Sequence, residues 1–313
     1  AERRVSVAEL RLAVAELRVT VPAVGLPVPG ELTLRRRRFP DSQLQAVTRP
    51  RLIVTDLDGT FLNATGGISA VNAAAVARAA ECDVPFVVAT GRPSRWLGEL
   101  AELDFLPLVI VSNGAGVFDL STNSYVRTHP IEAALALDVV RMLREAIPGL
   151  TFGVEMGPVF GREHATPSGE EGSPWTVTAT IEELVGAHAP PLKLLGFHAE
   201  LDSDALAGIA KPLVGELLEV THSLSSVFQG LVEISAPGIT KASALAQLCA
   251  ELGIAASEVA AFGDMPNDIT MLEWAGMPFV VANAHPTMLD GRYPVIGHHD
   301  ADGVGRAILE LLG

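Results

Sequence analysis

The stretch VAAFGDMPND, residues 259–268, decides how the rest of the chain is read. Four apolar residues suited to a buried strand run directly into Gly263, Asp264, Pro266, Asn267 and Asp268, so carboxylates fall where the strand stops. A second stretch has the same design: LIVTDLDGT, residues 52–60, carries Asp56 and Asp58 behind its own apolar run. Between and after them come FVVA (86–89), LVIV (108–111) and FVVA (279–282), separated by Ala-rich stretches of helical character. Apolar runs of this kind are expected of strands covered on both faces, and their alternation with helices predicts βα units around a parallel sheet. In a doubly wound sheet ligands bind beyond the carboxyl ends of the strands, so DLDGT, TGR, SNG and GDMPND are expected to converge on one place.

The rhythm shifts between about His129 and Ser235. There IEAALALDVVRMLREA reads as a helix, PLKLLGFHA as a strand, DSDALAGIAKPLVGELL as a helix, and SSVFQ with LVEIS as a pair of strands. The expected fold is a doubly wound, Rossmann-like α/β core over residues 49–128 and 236–313, with residues 129–235 inserted as a smaller α/β domain. The loop GREHATPSGEEGSPW (161–175) is expected to be the least structured part of the insert. Residues 1–48 read as a poorly ordered arm. The first 50 residues hold Arg3, Arg4, Arg11, Arg18, Arg35 to Arg38 and Arg49, nine of the 22 basic residues. VAELR recurs there seven residues apart, a spacing that suits a short amphipathic helix. That basic arm could instead contact an acidic surface.

With 313 residues, 49% of them apolar, the chain can bury a full core and two domains. No apolar run approaches the ~20 residues that span a bilayer, and charges interrupt the first residues too often for a signal-peptide core, so a cytoplasmic protein is expected. The net charge of −15 argues against binding a nucleic-acid backbone and favours small partners, with the oligomeric state left open. Cys82 and Cys249 are too few and too far apart for a disulfide framework or a metal site and read as buried small apolar residues. The histidines, including His129, His164, His188, His198, His222 and the HHD run at His298, show no metal-ligand spacing and read as surface or loop residues.

Each candidate loop also has a simpler reading when taken alone. Asp56 and Asp58, two residues apart, would face the same side if the strand continued, and a divalent cation such as Mg²⁺ would relieve their repulsion. An ordinary Asp-Gly turn remains open. Thr90 and Gly91 offer a hydroxyl and free N–H groups to an oxyanion, or a plain helix cap. Lys241 opens a helix with Leu245, Leu248 and Leu252 on its buried face. A lysine opposes the helix dipole there, which suggests another duty. Asp264, Asn267 and Asp268 fit a second acidic site or a capped turn.

In combination, TDLDGT, VVATGRP, SNGA, GITKASAL and GDMPNDITMLEWAG resemble the haloacid dehalogenase superfamily of phosphotransferases, in its Cof-type branch, over residues 51–313. The resemblance implies an α/β cap inserted between the second and third motifs and a Mg²⁺-dependent phosphatase of small phosphate monoesters, with sugar phosphates as the expected class. It implies that Asp56 attacks phosphorus and becomes an aspartyl-phosphate, while Asp58 serves as general acid and then base. Mg²⁺ would take Asp56, the backbone carbonyl of Asp58 and Asp264. Thr90, Gly91, Lys241 and Asn267 would hold the phosphoryl group, Asp268 would orient Lys241 or a bound water, and Thr60 would steady Asp58. Two departures, Ala242 after the motif lysine and FVVANA late in the chain, touch no catalytic carboxylate. Glu163, His164 and Trp175 are the candidates for substrate selection. A sugar phosphomutase and a catalytically silent binding or regulatory protein are the alternatives.

Overall fold

Each of the three runs at the start of the core becomes a strand whose residues are all buried: β1 (Leu52–Thr55), β2 (Phe86–Ala89) and β3 (Leu108–Val111). The computed structural model describes residues 49–103, 108–166, 173–187, 190–223 and 230–313. The proposed arm over 1–48, its amphipathic helix, His188 and the strand SSVFQ lie outside the described residues. Helix α1 (Ala70–Glu81) links β1 to β2, capped by the Ser69 side chain, which accepts from Asn72 N–H. A hairpin of β4 (Gly116–Asp119) and β5 (Ser124–Thr128) follows β3.

The middle of the chain forms α2 (Ala133–Ala146), β6 (Thr151–Met156), β7 (Val159–Arg162), β8 (Thr176–Thr178), α3 (Ile181–Ala187), β9 (Lys193–His198), α4 (Ser203–Val214), β10 (Glu219–Thr221) and β11 (Gly230–Ser235). The chain then returns through α5 (Lys241–Leu252), β12 (Val259–Gly263), α6 (Ile269–Trp274), β13 (Met277–Val281), β14 (Val295–Ile296) and α7 (Gly303–Leu312). Two sheets result. One runs β14-β13-β12-β1-β2-β3-β4-β5, and the other runs β10-β11-β9-β6-β7-β8. Each has its own buried cluster, centred on residues such as Ile53, Val87 and Phe262 in the first and Phe152, Val140 and Ile234 in the second.

In the larger sheet β1 lies between β2 and β12 and pairs with both in parallel. Chain order reverses there, the switch point at which such sheets open a crevice beyond their strand ends. Asp56 N–H donates to Phe262 O at 3.0 Å, tying the two strand ends together.

Several boundaries differ from the sequence expectation. The last apolar strand begins at Met277 rather than at residue 279. Pro278 lies in register with Ala261, while β14 reaches only Val280 and Val281, so its missing N–H costs no ladder bond. The helix expected through residue 218 ends at Val214 with Gly215 as its cap, and Glu219–Thr221 forms a strand against β11 instead. Gly161 and Arg162, expected in the loop, belong to β7, and residues 167–172 lie outside the described residues. Cys249 is buried as expected, but Cys82 is only half-buried at the end of α1. The strands β4 to β8 lack a continuous apolar run and were not legible by pattern.

Asn72 fastens the turn after Asp56. Its side chain donates to Phe61 O at 2.6 Å and accepts from Gly305 N–H at 2.9 Å, so one buried amide holds the turn Leu57–Phe61 to α7. Replacing it leaves two buried backbone groups without partners. Asn72→Ala is expected to lower stability by about 2–4 kcal/mol in urea unfolding, whereas a loss below about 0.5 kcal/mol would show that the tether carries little.

Candidate active site

The site forms where the carboxyl ends of β1 and β12 meet the start of α5. Thr240 and Ser243 exchange side-chain hydrogen bonds with each other's backbone N–H groups, at 2.9 and 3.1 Å, which fixes the first turn of α5 and places Lys241 as its first residue. Gly114, at φ +101°, lets the SNG turn pack against this cap: a Cβ there would lie 2.2 Å from Thr240 O. Lys241 does not face solvent. Its ammonium donates to Asp56 Oδ1 at 2.5 Å and to Asp268 Oδ1 at 2.7 Å, and it is fully buried. This supplies the other duty that its place against the helix dipole suggested.

Asp268 is held from its other side. Its Oδ2 accepts from Asp264 N–H at 3.0 Å and Met265 N–H at 3.1 Å, closing the GDMPND turn on itself. The turn Pro266–Asp268 precedes α6, so Asn267 and Asp268 lie just before that helix. Asp56, Asp264 and Asp268 each place a carboxylate oxygen within 4.8 Å of the other two, and all three side chains are buried. Three carboxylates therefore share one ammonium, leaving two uncompensated negative charges if all ionise.

That imbalance shapes the acidities. Burial pushes Asp56 well above its ordinary value against the pull of Lys241, and the neighbouring carboxylates push the same way. Burial, then Asp268, raises Asp264 to about 7 despite its bond from Thr60. Burial alone would lower Lys241, but Asp268 and Asp56 reverse that and hold it charged.

Two side chains lie elsewhere than the sequence suggested. Asp58 does not join the cluster. The strand ends at Thr55 and the chain turns through Leu57–Phe61, where the Asp58 carboxylate enters a two-pronged ion pair with Arg92, both bonds 2.7 Å, with 59% of its side chain exposed. The same-side placement expected of a continued strand is thus lost, and the Asp58 charge acts on Asp56 and Asp264 only as the smallest of the named influences raising them. Thr60 donates to Asp264 Oδ1 at 2.7 Å rather than to Asp58. Gly59 between them has φ +75°, and a Cβ there would sit 2.4 Å from Asp264 Oδ2, so only glycine fits.

TGR opens no α-helix. Thr90 is buried at the end of β2, and its hydroxyl accepts from Arg92 N–H at 3.0 Å. Gly91 faces Asn113 Oδ1, Glu233 Oε1 and Asn267 Nδ2, and Asn267 Nδ2 donates to Asn113 Oδ1 at 3.2 Å. Arg92 and Asn113 fall within the TGR and SNG motifs, and their place in those motifs is the signal the sequence carries for them.

The smaller sheet reaches into this region. Lys193 donates to Gly91 O at 2.7 Å and to Glu233 at 2.5 Å, while Arg95 forms a buried two-bond pair with Glu155. Burial alone would raise Glu233, but Lys193 holds it below its ordinary value. A cavity of about 640 Å³ lies alongside, with Asn113, Thr240, Lys241, Asn267, Asp204 and His222 in its wall. Asn267 Oδ1 and the Ser235 hydroxyl on that wall are buried without a hydrogen-bond partner.

The substrate candidates fare differently. Glu163 pairs with Arg144 and accepts from Phe152 N–H at 2.8 Å, which makes it a brace of the small sheet. His164 is exposed, and Trp175 is 51% exposed just before β8. Among the histidines, His198 and His298 cap local turns, but His222 and His299 are largely covered, at 12% and 13% side-chain exposure, rather than surface residues.

With this geometry in view, comparison with known proteins gives a consistent result. The family model of haloacid dehalogenase-like hydrolases matches residues 53–308. The chain is 28% identical over 266 residues to a 5-amino-6-(5-phospho-D-ribitylamino)uracil phosphatase of Bacillus subtilis (strain 168), covering 82% of this chain and 94% of that protein. It is 28% identical over 277 residues to the pyridoxal phosphate phosphatase of Escherichia coli (strain K12), with 84% and 98% covered. A solved haloacid dehalogenase-like hydrolase of B. subtilis superposes with a TM-score of 0.70 at 25% identity, over 83% of this chain and 99% of that one. The chain belongs to the haloacid dehalogenase-like hydrolases, in their Cof-type branch of phosphatases.

Proposed function

We propose that the chain is a cytoplasmic, Mg²⁺-dependent phosphatase of small phosphate monoesters, with sugar phosphates as the leading substrate class and residues 129–235 as its cap. One observation carries this reading: three buried carboxylates around one buried ammonium, an excess of two negative charges that matches a divalent cation. The donors are hard carboxylate oxygens, which suit Mg²⁺. Asp268 already spends both oxygens on Lys241 and on backbone N–H groups, so Asp56 and Asp264, with the Asp58 carbonyl, would hold the ion. When bound, Mg²⁺ supplies charge neutralisation that lets an anionic phosphate approach a carboxylate.

The residues of the chain do the rest. Asp56 attacks phosphorus, its oxygen bonding as the ester oxygen leaves. Asp58 gives that oxygen a proton and later takes one from the water that cleaves the aspartyl-phosphate. Arg92 holds both oxygens of Asp58 beside the site, so Asp58 gives or takes its proton with an oxygen freed from that pair. Lys241 holds Asp56 in place and, with Thr90, Gly91 and Asn267, offers donors to the transferring phosphoryl oxygens. The polar atoms left unpaired on the cavity wall suit a leaving group rich in hydroxyls, and the two relatives named above act on phosphorylated small molecules.

Asp56→Asn tests the reading: phosphate release from an aryl phosphate and from a panel of phosphorylated metabolites should fall about 10³-fold or more with an unchanged circular dichroism spectrum. Turnover near wild type would contradict it, and an isomeric sugar phosphate in place of free phosphate would identify a mutase. Arg92→Ala should lower kcat by roughly 10- to 100-fold through loss of Asp58 positioning, with Arg92→Lys recovering part of it; unchanged kcat would separate Arg92 from the chemistry.

Asp264 provides a pH test. Its proton affinity is higher folded than unfolded between 3.8 and about 7, so the metal-free fold loses stability as pH rises through that window. In chelator, wild type should lose melting temperature relative to Asp264→Asn between about pH 4 and about pH 7, and Mg²⁺ should restore it at the upper end. A wild type that gains on the variant as pH rises would reverse the sign.

A further inference from the structure

Away from the carboxylate cluster, three side chains from distant parts of the chain meet. Asp204 lies in the first turn of α4, His222 directly follows β10, and His285 precedes the turn Pro286–Met288 after β13. His222 Nε2 is 3.0 Å from Asp204 Oδ1, and His285 Nε2 is 3.1 Å from Asp204 Oδ2. The two imidazole rings stand 6.1 Å apart at 86°. They are 12% and 14% exposed, whereas 59% of the Asp204 side chain is open to solvent. The backbone fixes both ends: Asp202 caps α4 through Ala205 N–H at 2.8 Å, and His285 N–H donates to Asp264 O at 2.8 Å.

We propose that Asp204, His222 and His285 form a second cation site, of the borderline class represented by Zn²⁺, which pins the small-sheet region to the large-sheet region beside the cavity. One ligand atom from each residue lies within 4.8 Å of the other two. A tetrahedral ion with ligands at about 2.0–2.1 Å sets them about 3.3 Å apart. Each imidazole is close to that distance from one Asp204 oxygen, His222 from Oδ1 at 3.0 Å and His285 from Oδ2 at 3.1 Å, so the carboxylate bridges the two ligand positions. Two imidazoles and a carboxylate suit Zn²⁺ and leave a fourth position for water, whereas Mg²⁺ prefers the oxygen cluster at Asp56 and Asp264. His285 Nδ1 lies 2.9 Å from Thr287 Oγ1 and 3.4 Å from Thr287 N, so once a cation takes Nε2 the Nδ1–H has the Thr287 hydroxyl as its acceptor.

The position gives the site a consequence. Asp204 and His222 share the cavity wall with Lys241, and His285 follows the large-sheet strand β13 with its N–H on Asp264 O. A cation bound only when these three meet favours that arrangement by mass action and slows the opening that releases product. Zn²⁺ thereby acts as a reversible brake on turnover, independent of the ion in the carboxylate cluster.

The test uses untagged full-length protein saturated with Mg²⁺ and titrated with Co²⁺. The expected result is one Co²⁺ per chain with the intense visible absorption of a tetrahedral nitrogen-containing site, since an all-oxygen octahedral site absorbs only weakly. His222→Gln and His285→Gln, each with a wild-type circular dichroism spectrum, should bind Co²⁺ and Zn²⁺ at least about tenfold more weakly. Absence of that absorption in wild type, or its retention in both variants, overturns the proposal. The readout needs no turnover, so it stands or falls apart from the phosphatase reading.

Discussion

The charge imbalance around Lys241 is the constraint on which the rest of the structure depends. Removing four ionisable side chains from water is costly, and an ammonium lodged between Asp56 and Asp268 offsets only part of it. Asp264 remains beside them and accepts from the Thr60 hydroxyl. A core protein of this size could fill the same space with apolar side chains. That this one keeps three acids there, at the junction of two strand ends, is the observation on which the proposed cation site rests.

The fold supplies the geometry by a few local devices. Parallel pairing of β12, β1 and β2 brings residues roughly two hundred positions apart to one rim. The capping box at Thr240 and Ser243 sets the first turn of α5, so the lysine stem runs inward. Asn72 then holds the Asp56 turn to the last helix, and glycine at 59 leaves room for the Asp264 carboxylate. The small sheet closes the arrangement through Lys193 on the Gly91 carbonyl and Arg95 on Glu155, both in buried positions where an unmatched charge would be severely unfavourable.

Much of this was legible in the sequence because the parallel core announces itself by fully apolar runs that stop at polar loops. LIVT, FVVA and LVIV fall on their strands residue for residue. The carboxylate positions at 56, 264 and 268 followed from the same logic together with the family resemblance. What escaped was set by tertiary contact. Spacing could not tell that Asp58 would swing out to Arg92, or that Thr60 would serve Asp264. It could not show that Pro278 is tolerated where no neighbouring strand needs its N–H. Nor could it bring His222 and His285, 63 positions apart in sequence, onto one aspartate.

The most direct measurement of the central claim is anomalous difference density from a crystal of this protein soaked in Mn²⁺, a close stand-in for Mg²⁺ with an X-ray absorption edge. The account predicts one strong peak in contact with Asp56 and Asp264, with Lys241 still bonded to Asp268. A cluster that stays free of Mn²⁺, or a peak that avoids Asp264, would contradict it.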